Sequence, residues 1–327
     1  MKITYTASLT VCIIVAFSSV VSAAENTFRW VTKEPGQRDL MYGDHPVLRY
    51  MHAYDDSTPE KFHETYKVYH HVFGPRSGKI ITKGAGGKYT HHRGLYVGWN
   101  KTQTSDGGFD FWHCKNGAHL AHAEFVSESA DANHAESTVE IHWNDKDNKA
   151  VIKELRTIRV SITKVSGERA WLIDWSTKLS SQRGEIQLRG DRQHAGFQFR
   201  AAQAVADAGS ARYVRPDGFP DKAEAFQVGD KGDPPAHINL KWFAMNFPLD
   251  GSHYNVEYFE APGQPAPSLY SERPYGRFGA FYKADLTEDK PLQMTYRLVV
   301  SEGDTPERSD IQKRYDDYLT SLQAKTQ

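Results

Sequence analysis

The chain has 327 residues, 40 Lys+Arg against 41 Asp+Glu, and a formal net charge of −1. That balance excludes the cationic surplus needed by a nucleic-acid-binding protein or one held on an anionic membrane. A mean hydropathy of −0.64, with no long apolar run after the first two dozen residues, excludes an integral helical membrane protein.

At the N-terminus, Lys2 precedes an apolar run over 9–21, and Val21-Ser22-Ala23 forms a small-residue cleavage site before Ala24. This pattern predicts a secretory signal peptide over 1–23, because the run is shorter than the roughly 20 residues of a membrane span. The alternative is a retained anchor. Leu9-Thr10-Val11 before Cys12 makes a poor lipoprotein box, so the expected product is a free periplasmic or secreted protein of residues 24–327. Cleavage removes Lys2 and moves the formal charge from −1 to −2. It also removes Cys12 and leaves Cys114 as the one thiol, so no internal disulfide forms. Such a chain depends on a large core, and a chain of ~300 residues can bury about three-quarters of its unfolded surface.

Strand signals dominate the rest. They fall at 47–51, 66–73, 95–99, 138–143, 150–162, 171–179, 186–189, 196–201, 237–247, 254–260, 278–284 and 292–300. Many alternate apolar and polar residues, as half-buried antiparallel strands do. Clusters such as Ser105-Asp106-Gly107-Gly108 and the run 144–148 read as turns. Ser57-Thr58-Pro59-Glu60 is either the start of a short helix or a loop. A C-terminal helix is expected with Thr305 as cap, Pro306 at its first position and Glu307 in its first turn. Ile311, Tyr315, Tyr318, Leu319 and Leu322 then share one face. No linker or repeat divides the mature chain. The predicted fold is mostly β: one domain over 24–327, a large antiparallel two-sheet sandwich with a C-terminal helix.

Polar density peaks between residues 63 and 113. His70 and His71 end a strand-like run, Lys83-Gly84-Ala85-Gly86-Gly87 reads as a loop, and His91-His92-Arg93-Gly94 follows it. Then comes Asp110-Phe111-Trp112-His113-Cys114. Imidazole suits proton transfer near neutral pH and is a common metal ligand. In an extended 90–95 segment, His91 and Arg93 would share a face and His92 would take the other; His70 and His71 would likewise oppose each other. His91, His92, Arg93, His71 and His113 are the candidate catalytic residues. For each histidine pair, the plain alternative is that one member is solvated or satisfied in the core.

Arg93 reads as an anion clamp or a structural ion pair, and Gly94 as a point of close backbone approach. Trp112 and Trp99 suit sugar stacking, with core filling the expected role of at least one. Asp110 reads as a base, as a group orienting a histidine, or as a turn acid. Cys114 reads as a small buried residue rather than a nucleophile. Two further islands, 191–196 and 275–279, add His194 and Arg277. With His70, Asp110 and Trp112 these complete the candidate substrate-binding set. No spacing matches a known zinc motif, so no cofactor is predicted and a divalent metal is left open. His71, His92, Arg93, His113 and His194 are expected to converge on one concave face.

The run 66–73, Thr82-Lys83-Gly84, Gly86-Gly87, and above all His91-His92-Arg93-Gly94-Leu95-Tyr96-Val97-Gly98 carry a family likeness. So do Phe111-Trp112-His113, the stretch 192–196 and the end over 279–300. Over most of its mature length the chain resembles an uncharacterised family of exported bacterial proteins labelled methane oxygenase PmoA-like. The resemblance implies carbohydrate work on a sandwich like those of the galactose mutarotases and polysaccharide lyases; it carries no settled catalytic residues. The leading expectation is an exported lyase or hydrolase acting on oxidised or acidic sugars by histidine acid/base chemistry. Its partner would be an oligosaccharide or modified sugar, with no nucleic acid and no membrane insertion. The alternatives are a glycan-binding protein without turnover and, following the label, a metal-dependent oxidase. Nothing in the sequence sets the oligomeric state. The export reading is checked by N-terminal sequencing of the protein recovered from cells: it should begin at Ala24 or within a residue or two, and retained Met1 would overturn it.

Overall fold

In a computed structural model, residues 1, 26–191, 193–219 and 238–324 are described. The expected signal peptide, Arg192 and His237 lie outside them. Two eight-stranded antiparallel sheets and a small four-stranded one make up the architecture. The first sheet runs, in spatial order, Phe28–Val31, Gln37–Tyr42, His45–Met51, Tyr69–Val72, Leu95–Trp99, Ala195–Arg200, Arg277–Phe281 and Leu269–Arg273. The second runs Arg212–Val214, Trp242–Leu249, Ser252–Glu260, Leu292–Glu302, Glu168–Ser181, Ala150–Val165, His134–Asn144 and His119–Ala130.

Side-chain alternation explains the layering. In Leu292–Glu302, Leu292, Met294, Tyr296 and Leu298 are buried while Gln293 is exposed, so the even positions face the partner sheet. Leu95, Val97, Trp99, Phe197 and Phe199 answer from the first sheet in the same apolar core. Burying one large aromatic or aliphatic side chain stabilises a core by roughly 1.5–3 kcal/mol, so layers of this size need no disulfide. Cys114 is accordingly buried and unpaired, its thiol pushed up to about 11 by burial.

Each sheet has a second face. That of the second sheet carries the C-terminal helix Arg308–Ala324, with Ile311, Tyr315 and Tyr318 packed on Trp242, Phe259 and Val299. The helix opens later than the expected Thr305 cap, because the Glu307 carbonyl accepts the first bond, from Ile311 N at 3.1 Å. Thr58 does cap a short helix, Pro59–Thr65, accepting from Lys61 N. The long strand His119–Ala130 was not expected. It is a largely exposed sheet edge broken by bulges, so its sequence shows no apolar alternation.

The core also holds an ion pair. Glu154 and Arg156 occupy inward positions of one strand and are both fully buried, with Nε to Oε1 at 2.7 Å. Trp143 Nε1 and Thr177 Oγ1 also donate to Glu154, at 2.9 and 3.0 Å. Glu154→Gln leaves the guanidinium buried without its counter-charge and should cost about 3–5 kcal/mol, read from urea unfolding; a loss under about 1 kcal/mol would show that the pair is not closed as described.

Glu260 gives a pH test. Burial pushes its carboxyl up to about 7, only partly offset by hydrogen bonds from Tyr270 and Ser268. The unfolded chain releases this proton near the ordinary value of 4.5 and the folded one near 7, so this group's stabilisation falls as pH rises through that window. Glu260→Gln should therefore lose less stability than wild type between pH 5 and pH 8, measured as the shift in urea midpoint.

Candidate functional site

The outer face of the first sheet is where polar residues collect. Pleating sends Tyr69 and His71, Tyr96, Gln198 and Arg200, and Arg277 away from the apolar core. These residues are nonetheless buried, because loops fold down over them. Tyr69, Tyr96 and Trp112 form a separate small apolar cluster on this face. Gly98 makes that covering possible: a Cβ there would stand 2.6 Å from the Phe111 carbonyl oxygen.

Three loops each bring one histidine to the same place. One ring nitrogen from each of His91, His113 and His194 lies within 4.8 Å of the others. Ring centroids are 4.6 Å apart for His91–His113, 4.8 Å for His113–His194 and 5.9 Å for His91–His194. The side chains of His113 and His194 keep 21% and 27% exposure, so the cluster is open to solvent.

Two of the rings are held by the same local device. In Asp110-Phe111-Trp112-His113, the Asp110 carboxylate accepts from Trp112 N and His113 N at 3.0 and 2.8 Å and from His113 Nδ1 at 2.8 Å. In the turn from Asp191 to His194, Asp191 accepts from Gln193 N and His194 Nδ1, both at 2.9 Å, and from Asn100 Nδ2 at 2.7 Å. Burial pushes both carboxyls up, but these bonds, led by those from the histidines, outweigh it and hold both below the usual range. Accepting carboxylates place the proton on Nδ1 and leave Nε2 as a lone-pair donor.

Buried cations anchor all three loops through backbone carbonyls. Lys67 Nζ donates to the carbonyls of His91 (3.3 Å) and Trp112. Arg277 Nη1 donates to the Gln193 carbonyl at 3.1 Å and its Nη2 to Ser271 Oγ at 2.8 Å. Burial lowers the Lys67 ammonium to about 7. Arg200, 1% exposed, lies with its guanidinium 5.2 Å from the Trp112 ring centroid. Its Nη1 donates to Gln198 Oε1 at 2.9 Å, while Nε and Nη2 have no hydrogen-bond partner among the described residues. Burial and these cations hold His91 and His92 far below the ordinary imidazole value, so both are neutral; for His92, Arg200 is the strongest neighbouring charge.

Several expected roles change. Segment 90–95 is not extended: it turns at Tyr89 (φ 56°), and His91 and His92 point together, rings 4.5 Å apart. His92 packs against the rings of Tyr89 and Tyr275 at 5.1 and 5.8 Å. Arg93 is fully buried and donates to the carbonyls of Thr90, His92 and His63, so it staples the loop, and its Nε alone lacks a partner among the described residues. Gly94 makes room for the neighbouring strand rather than a ligand, since a Cβ would stand 2.2 Å from the His70 carbonyl oxygen.

His70 and His71 do take opposite faces. His70 stacks on Tyr50 at 4.6 Å and meets Trp175 at 5.6 Å, in the inter-sheet core and away from the cluster. His71 bonds Thr82 Oγ1 at 3.0 Å and Tyr69 Oη at 3.4 Å, and burial lowers it to about 4. Trp112 and Trp99 are both fully buried, so neither offers a stacking face. The half-buried pair Tyr89 and Tyr275, 4.6 Å apart beside His92, is the aromatic surface at the site. Sequence reasoning missed this pair, Arg200 and Lys67. The paired Asp-x-x-His spacing was the one local signal available, and it is ambiguous alone, since Asp131 and His134 form the same turn on an exposed hairpin.

Two surface clefts lie away from the cluster. One of about 850 Å³ runs along the C-terminal helix, and another of about 390 Å³ is lined by His63, Glu64, Ala85 and Gly86 beside the loop that Arg93 staples. Among the described residues, no helix is long and apolar enough to cross a membrane.

Among solved structures, the chain is similar to a GH36 α-galactosidase from Geobacillus stearothermophilus, with 7% identity, a TM-score of 0.34, and coverage of 86% of this chain and 40% of that one. It is also similar to a galactose mutarotase related enzyme from Lactobacillus acidophilus, with 8% identity, a TM-score of 0.34, and coverage of 86% and 98%. Fits this loose carry neither residues nor an activity to this chain. No curated protein matches it in sequence. The model of a family of unknown function, DUF6807, matches residues 37–316, a span that holds the histidine cluster, both orienting carboxylates and the cations beneath them, and the chain belongs to that family.

Proposed function

We propose that this protein is an enzyme acting on oxidised or acidic sugars, with a lyase-type elimination as the reaction the site suits best. The observation that carries this reading is Arg200: a buried guanidinium with two unsatisfied N–H-bearing atoms, next to neutral imidazoles. A buried donor without a partner costs roughly 1–3 kcal/mol. Arg200 also stands in register with Arg277 on the neighbouring strand, a pairing of like charges. A carboxylate or a carbonyl oxygen of a substrate would relieve both.

The reaction needs a base at the carbon next to that carbonyl and a cation on the enolate that develops. His92 is the assigned base, since it is neutral and lies against Tyr89 and Tyr275, which offer an apolar wall to a sugar ring. Its ring takes the α-proton, the electron pair forms the double bond, and the β-substituent leaves as an alkoxide that is protonated from water. Arg200 holds the negative oxygen throughout. Export would place the protein among extracellular glycans, in keeping with that substrate class. A lectin has no use for neutral imidazoles beside a cation, which sets this reading above glycan binding without turnover.

The test is incubation with uronate-containing and keto-sugar oligosaccharides, followed by product separation and absorbance of the new double bond. Arg200→Met should lower kcat/KM about 10–100-fold, the value of a charge-assisted hydrogen bond of roughly 1.5–3 kcal/mol. His92→Gln should abolish turnover and keep binding. Sugars that bind without product, with both variants at full affinity, would overturn the enzyme reading.

A further inference from the structure

The acid/base reading leaves three imidazoles without a task. Two of them, His113 and His194, are locked by Asp110 and Asp191 with Nε2 as the free lone pair. The third, His91, has a buried Nε2 with no partner among the described residues. Proton transfer needs one donor and one acceptor; three rings that each bring a nitrogen within 4.8 Å of the others supply more lone pairs than that task uses. Their lone pairs repel one another unless a cation sits among them. We infer that His91, His113 and His194 are the ligands of a divalent transition-metal ion, with Asp110 and Asp191 as positioning carboxylates.

Three observations support a metal rather than a shared proton. The donor set is three imidazoles on three separate loops, with solvent access left for a further ligand, the pattern of an open zinc-type site. Each carboxylate bonds Nδ1 and leaves Nε2 as the lone pair, as outer carboxylates do for metal-bound histidines, fixing the ring. A tetrahedral zinc site with Zn–N of about 2.0–2.1 Å has its nitrogens about 3.3 Å apart, so small rotations of rings already held at one end would close this cluster. The opposing charge is that of Arg200 and Lys67. Asp110 and Asp191, bonded to His113 and His194, offset it. The look-alike turn of Asp131 and His134 serves as an internal control, since no other histidine is grouped with it.

This inference shares its site with the proposed function and deepens it. A divalent ion beside Arg200 would give a carboxylate or keto group a second positive contact and act as a Lewis acid on it.

The experiment is direct binding. The purified full chain, stripped with chelator, is titrated with Zn²⁺ by calorimetry and with Co²⁺ by visible absorption. One ion per chain and an intense cobalt band of tetrahedral or five-coordinate type are expected. His113→Ala and His194→Ala should abolish the band, and Asp110→Asn should weaken binding 10–100-fold. His134→Ala should bind as wild type. Circular dichroism reports whether each variant folds, and the wild-type titration decides even if the alanine variants do not. Absence of a stoichiometric site in wild type, or unchanged binding in folded His113→Ala and His194→Ala, would overturn the inference. Turnover of sugars with no metal bound would overturn this inference alone, whereas metal bound with no sugar recognised would overturn the proposed function alone.

Discussion

The site depends on buried cations that donate to loop carbonyls. Lys67 holds the carbonyls of His91 and Trp112, Arg277 holds that of Gln193, and Arg93 holds those of Thr90 and His92. Every one of these carbonyls belongs to a histidine of the site or to a residue within one position of one. The arrangement puts charge to structural use. A loop has no ladder to fix its backbone, so a charge-assisted bond from a buried side chain, roughly twice as strong as a neutral one, fixes it instead.

The same arrangement explains why His91 and His92 stay neutral. Cations beneath imidazoles disfavour a further positive charge, and burial adds to the effect. The two carboxylates accept from Nδ1 of His113 and His194 and leave Nε2 as the lone pair. Orientation and position thus come from different neighbours: a ring is aimed by its Asp, and its loop is fixed by a buried cation. For His113 and His194 the Asp lies three residues earlier in the same turn, so the aim is set locally. His91 has no such partner and is placed through its backbone by Lys67.

Much of the architecture was legible because alternation is a local signal. Leu292–Glu302 and Leu95–Trp99 announce themselves by periodicity, and Thr58-Pro59-Glu60 by its cap. The site was legible in part. Its histidines stand out by density, yet which of them meet depends on how three loops fold over one sheet face, and no spacing encodes that. Arg93 illustrates the difficulty: an arginine beside paired histidines invites the reading of a ligand clamp, and its real partners are carbonyls that only the folded loop brings near. Arg200 is the converse. In Phe197-Gln198-Phe199-Arg200 it occupies a polar position of an ordinary alternating strand, which from sequence reads as solvent-facing. It is buried because residues far away in the chain cover it.

That burial bears on what the protein is for. A fold selected for stability alone would place an apolar side chain at position 200, where the sheet's outer face is closed over. An unsatisfied guanidinium nitrogen there works against the folded state by about 1–3 kcal/mol, a sizeable share of a net stability of roughly 5–15 kcal/mol. The core's own buried arginine, Arg156, is matched by Glu154, whereas the acceptors Arg200 meets among the described residues are neutral, the Gln198 amide and the Phe199 carbonyl. Local conflict of this kind concentrates where a ligand completes the structure. The conflict at Arg200 and the converging lone pairs of His91, His113 and His194 have opposite signs: one lacks an anion, the other a cation. Both adjoin Trp112, whose ring is 5.2 Å from the Arg200 guanidinium and 6.1 Å from the His194 ring. A carboxylate-bearing molecule bridging a metal ion and Arg200 would resolve both at once, which is why the two belong to one site rather than two.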